Sequence, residues 1–90
     1  MKVLKLTKDD VVYYFNIDHL VNLHVEFNFI YVATTTMTLS YALHVKDSVE
    51  AEQIIKEVLR QIEYNQKSPI IDINDIQIKL RKEKENTKND

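Results

Sequence analysis

The chain has no glycine, no cysteine and a single proline among its 90 residues. Tight hairpin turns of the primed types need positive φ and usually take Asn-Gly or Asp-Gly, so here the turns fall to Asn, Asp or longer loops. The same absence removes glycine-rich phosphate loops, the glycine-based nucleophile elbow and the glycine of an EF-hand, which excludes the familiar kinds of nucleotide-binding enzyme. Without cysteine there are no disulfides and no thiolate metal sites. Stability must come from packing, helped by self-association, and a reducing cytoplasm is the expected location. No stretch approaches about 18 uninterrupted apolar residues, and the start MKVLKLTKDD reaches Lys8, Asp9 and Asp10 before any apolar run of signal-peptide length. Neither secretion nor a membrane partner is expected. With 12 basic and 14 acidic residues the net charge is -2, which offers no field to gather phosphate, so nucleic acid is a disfavoured partner.

What the chain does have is a change of hydrophobic rhythm. Val21, Leu23, Val25, Phe27 and Phe29 alternate with polar residues, and Met37, Leu39, Tyr41, Leu43 and Val45 do the same, the pattern of two half-buried strands. After Asp47 the apolar positions become Ala51, Ile54, Ile55, Val58, Leu59 and Ile62, the stripe of an amphipathic helix. Asp47, Ser48 and Glu50 form a capping-box arrangement at its start, in which Asp47 or Ser48 supplies a cap worth about 1 kcal/mol. Asn65 to Pro69 should end the helix. Upstream, Val3 to Thr7 and Val11 to Ile17 make a first hairpin around Lys8, Asp9 and Asp10. A third strand is expected from Leu20 to Val32, long enough to hint at a bulge, with Thr34, Thr35 and Thr36 connecting it to the next. After Pro69, Ile70 to Leu80 returns to alternation and reads as one strand or two short ones, pairing within the chain or with a second molecule.

Candidate chemistry is sparse. His24 and His44 fall on the outward phase of neighbouring strands and with Glu26 could hold zinc, although ordinary solvent-facing residues give the same pattern. Asp9, Asp10, Asp18, Asp47, Glu50, Asp72 and Asp75 could supply a carboxylate pair, but most have a turn or cap to make. Ser40 and Ser48 lack an adjacent His-acid pattern. The aromatics Tyr13, Tyr14, Phe15, Phe27, Phe29, Tyr31 and Tyr41 are of the kind that stack nucleic-acid bases, yet Phe27, Phe29 and Tyr41 share the apolar phase with Val25, Leu39 and Leu43, which points to core packing. Either Tyr13 or Tyr14 must point outward.

The succession Lys5-Leu6-Thr7, Asn16-Ile17-Asp18-His19-Leu20-Val21 and Val45-Lys46-Asp47-Ser48-Val49-Glu50, followed by Ile54 and Ile55, resembles the FlbD-like small flagellar proteins and similar short uncharacterised bacterial proteins. The resemblance implies an opening strand, a turn, a central hairpin and a helix start, with a role assisting flagellar motor function or swarming and no catalytic residues to carry over. The chain departs from that pattern around Thr34 to Thr36, where an Asn-Gly type turn is missing, and in the extension from Ile70 to Leu80, which lies beyond the family's usual end.

The expectation is therefore an α+β fold: a small antiparallel sheet of about four strands, one helix over its apolar face, and a C-terminal strand or extended arm. Residues 1–80 would form the single domain and 81–90 a charged, disordered tail. Function is expected to be non-enzymatic, without cofactor or metal: a protein-protein interaction or self-associating accessory acting through a sheet edge and the arm, with Tyr13, Tyr14, Ile71, Ile73, Ile76 and Ile78 as interaction residues. A small nucleic-acid-binding regulator using the polar sheet face or Lys79, Arg81, Lys82 and Lys84 is the first alternative, and a small metal-binding or enzymatic domain the second.

Overall fold

The computed structural model describes residues 2–35, 41–64 and 68–88, with side chains to residue 85. Strand β1 (Val3–Lys8) turns back into β2 (Val11–Asn16) through Asp9 and Asp10, at φ 52° and 64°. Two consecutive positive φ values are what a type I′ turn requires, and aspartate is the substitute a glycine-free chain uses. A single 3-10 turn, Ile17–His19, is capped by the Asn16 side chain, which accepts from the Asp18 amide, and leads into β3 (Leu20–Glu26). Then come β4 (Phe29–Thr34) and β5 (Tyr41–His44), helix α1 (Ser48–Glu63), the short β6 (Ile70–Asp72) and helix α2 (Ile73–Lys88).

The fold is α+β, but its strands fall into two three-stranded sheets, ordered β2-β1-β6 and β3-β4-β5. All pairings are antiparallel except β1 with β6, which run parallel. The two sheets and both helices share one core. Leu4 and Leu6 of β1, Phe15 of β2, Ile30 and Val32 of β4 and Leu43 of β5 meet Val45, then Ala51, Ile54 and Val58 of α1, then Ile71, Ile73 and Ile76. Each of the larger aliphatic side chains contributes roughly 1.5 to 3 kcal/mol by leaving water. Among the described residues no helix is long and apolar enough to cross a membrane.

Three expectations are corrected. The segment from Leu20 to Val32 is a hairpin, not one strand: Glu26 pairs with Phe29, and Phe27 and Asn28 form the turn. A two-residue turn inverts parity, because Val25 now faces Ile30 and Leu23 faces Val32. Phe29 and Tyr31 therefore lie on the sheet's other face, away from the core phase. Second, there are two helices. Ile70 to Leu80 pairs only through Asp72 and then coils, putting Ile73, Ile76, Gln77 and Leu80 on the packed side at helical spacing. Third, within the expected tail of residues 81–90 the segment to Lys88 is helical, as part of α2, and residues 89–90 lie outside the described residues. Of the fourth expected strand, Tyr41 to His44 is seen as β5, while Met37 to Ser40, with Thr36, lie outside the described residues.

Helix α1 begins as its sequence requires, with the Asp47 carboxylate accepting from the Glu50 amide at 2.8 Å. At its other end the Lys2 ammonium donates to the carbonyls of Gln61, Ile62 and Tyr64, those of Gln61 and Tyr64 at 2.7 Å. A cation is favoured there by the unpaired carbonyls of the last turn. The junction of β6 and α2 is fixed to β1 by Asn74, whose amide donates to the Thr7 carbonyl at 2.9 Å and whose oxygen accepts from the Thr7 amide at 2.8 Å. This side chain continues the β1–β6 ladder after the backbone has turned into helix.

Candidate functional site

Among the described residues strand β3 is an unpaired edge of its sheet, and five of its seven residues are exposed. A register shift between Leu20 and Asn22 makes Val21 the extra residue of a β-bulge, and bulges re-aim side chains at sheet edges. Val21 is left 59% exposed and Val25 40% exposed, although Val25 lies opposite the buried Ile30. Across from them, α1 presents a second stripe beside its buried one: Ile55, Leu59 and Ile62, with Leu59 54% exposed. The two elements form an apolar groove of about 260 Å³, walled by these three residues and by Ile17, Leu20, Val21 and Leu23, with Asn22 as its polar member. No charged side chain lines it among the described residues.

At the far end of β3 stands Phe27, 86% exposed and with φ 55°. In a two-residue hairpin turn with positive φ only at its first central position, glycine is the expected residue. A bulky residue there costs on the order of 1 to 2 kcal/mol, and its side chain recovers none of that by burial. The sequence pattern placed Phe27 in the core, and the structure corrects this: its alternation with Val25 and Phe29 survives the turn, but the turn leaves the ring in solvent.

The outer face of the β3-β4-β5 sheet carries rings. His24 stacks on Tyr31 with centroids 5.0 Å apart, Phe29 lies 6.1 Å from Tyr31, and His44 meets Phe29 edge-on at 5.2 Å. The expected approach of His24 to His44 is interrupted by β4, whose Tyr31 and Phe29 stand between them. His24 Nε2 lies 3.9 Å from a Glu26 carboxylate oxygen and its Nδ1 is 3.2 Å from the Asn22 side-chain oxygen. Among the described residues no three His, Cys, Asp or Glu converge as a metal site.

Among the described residues Glu50 is the carboxylate held furthest below its ordinary range. It is 2% exposed, and Arg81 grips it with two hydrogen bonds of 2.9 Å, from Nε to Oε2 and from Nη2 to Oε1. Gln77 Nε2 and the Lys46 amide also donate to Oε1, at 3.1 and 3.0 Å. The Arg81 hydrogen bonds lead in holding its carboxyl down to about 2; burial opposes them, and the Lys46 and Gln77 donors add to them. Gln77 also donates to the His44 carbonyl at 2.9 Å. Glu50 thus ties α2 to the start of α1 and the end of β5, and every oxygen is already committed to that task. The open space beside it, lined by His44, Lys46, Arg81, Lys84 and Glu85, carries mixed charge.

Of the remaining acidic candidates, Asp9 and Asp10 make the first turn, Asp47 caps α1, and Asp72 accepts from the Asp75 amide at 3.1 Å at the start of α2. Among the expected interaction residues, Ile71, Ile73 and Ile76 are buried in the chain's own core, and Tyr13 packs on Tyr41 with ring centroids 4.4 Å apart. Tyr14 and Ile78 are exposed, on opposite elements. Ser40 lies outside the described residues. No family model, curated protein or solved structure matches the chain.

Proposed function

We propose that this protein is a non-enzymatic, self-associating accessory protein that joins a second copy of itself through the face made by β3 and α1. The carrying observation is the uncharged groove between a free edge strand and the half-exposed stripe Ile55, Leu59 and Ile62. A twofold contact sets a patch against its own copy, so any charge at its centre would meet the same charge; an uncharged lining avoids that repulsion. The bulge at Val21 disfavours simple extension of the sheet, which makes side-chain packing in the groove the main contact. The segment after Pro69, by contrast, is spent within the chain, since β6 pairs with β1 and Val3 donates to the Pro69 carbonyl at 2.9 Å. An accessory role is also what the FlbD-like resemblance implies, and the cytoplasm is the setting we infer for a chain built without disulfides.

Light scattering over a concentration series is the test. The wild type should form dimers, and Leu59→Lys should shift it to monomer while leaving the melting temperature of the dilute protein nearly unchanged, because Leu59 is already half in water. A wild type that stays monomeric at every accessible concentration would refute the reading.

A second reading draws on the ring-bearing outer face. Tyr31, Phe29 and His24 form a platform of the kind on which single-stranded nucleic acid stacks. It requires oligonucleotide binding that weakens as salt rises and is lost in Tyr31→Ala; absence of binding at low salt removes it.

A further inference from the structure

Building on the self-association reading, we propose that Phe27 of each copy seats in the β3–α1 groove of the other, so that the two hairpin tips are exchanged across a twofold axis near the middle of β3. Four features of the monomer converge on this arrangement. The tip is an apolar ring left 86% exposed, at a backbone angle that glycine would hold without strain. Such strain persists where a surrounding or partner structure uses the side chain. The groove has room for it: a cavity of about 150 Å³ lined by apolar residues accommodates a benzene ring, and this one measures about 260 Å³. Apart from Asn22 the lining is aliphatic, and it carries no charge among the described residues, which suits a phenyl ring and suits a surface meeting its own copy.

Topology supplies the fourth feature. The groove opens along the first half of β3, at Leu20, Val21 and Leu23, and the tip lies just beyond its last residue, Glu26. At about 3.4 Å per residue, Leu23 to Phe27 spans about 14 Å. A second β3 lying antiparallel about an axis near Leu23 therefore carries its own Phe27 the same distance the other way, beside residues 19–21 and above the groove. Knob and hole sit on opposite ends of one strand, so a single twofold engages both pairs at once and closes the assembly at two copies.

Phe27→Gly separates this contact from folding. Glycine relieves the positive φ, so the dilute monomer should melt at a higher temperature than wild type, while the dimer dissociation constant rises by about tenfold or more. A wild type that dimerises with an affinity unchanged in Phe27→Gly overturns tip exchange and leaves self-association standing. A wild type that never dimerises overturns both. If it is instead monomeric and co-sediments with phosphatidylglycerol vesicles only when Phe27 is present, the tip belongs to a lipid surface and the proposal falls. The cysteine-free chain allows a direct check of geometry. Mixing Phe27→Cys with Leu59→Cys should give a disulfide-linked pair under mild oxidation, and Phe27→Cys with Lys8→Cys should not; equal yields from the two mixtures would contradict the arrangement.

Discussion

Glu50 shows how one side chain carries a local and a global duty. Its position four residues after Lys46 suits it to the helix start, yet its carboxylate is almost wholly buried and is neutralised by Arg81 from α2. Its carboxyl titrates near 2 in the folded protein against 4.5 without these partners. Between those values the unfolded chain takes up a proton that the folded chain refuses, so stability falls as pH drops from about 4.5 to about 2 and is fully present above that window. In Glu50→Gln the charge is gone at every pH. Urea unfolding followed by circular dichroism should find this variant less stable at neutral pH by on the order of 2 kcal/mol, after discounting for the half-exposed Arg81, with the gap to wild type closing toward pH 2. Only half of this was legible in the sequence. A glutamate three residues after Asp47 announces a capping box, but nothing local indicates that an arginine 31 positions later will reach it.

At the scale of elements, what could be read was whatever kept its own period. Asp47 and the stripe Ala51, Ile54 and Val58 identify α1, and Asp9-Asp10 between two apolar runs identifies the first hairpin. The second hairpin was hidden because a two-residue turn without glycine leaves the alternation of Val25, Phe27 and Phe29 unbroken while exchanging the two faces. Helix α2 was hidden because one of its core positions is filled by Gln77, whose amide is satisfied by the His44 carbonyl and Glu50, so the apolar stripe has a gap. The candidate groove was less legible still: Leu59 and Val21 belong to ordinary apolar patterns, and only the assembled sheet edge shows that they lack cover. Truncation tests the reassigned helix. Ending the chain after Glu83 should leave the melting temperature almost unchanged, whereas ending it after Asp72 removes Ile73, Ile76, Gln77 and Arg81. Losing two buried isoleucines costs about 2 to 5 kcal/mol each, comparable to the whole stability of a small domain, so the shorter chain should show no cooperative melt.

For the molecule as a whole, the distribution of charge separates the modes of association. Charged residues dominate the surface beyond Arg81 and along the solvent side of α1, while the groove has none among the described residues. Dimerisation through the groove should therefore change by less than about threefold in dissociation constant between about 0.05 M and about 0.5 M salt, a range that screens surface charges almost completely. Sedimentation equilibrium at the two ends of that range measures it; a steep weakening would point to contacts between charged surfaces instead. The parallel pairing of β1 with β6 bears on how the chain comes together in time. Thr7 and Asn74, which lock that pairing, are 67 positions apart. At about 5 to 20 residues per second, a ribosome exposes β1 for several seconds before its partner is made. Until then the first hairpin has an open flank and a half-built core beneath Leu4 and Leu6, so β1 is made well before the strand that secures it and stays exposed on that side in the meantime.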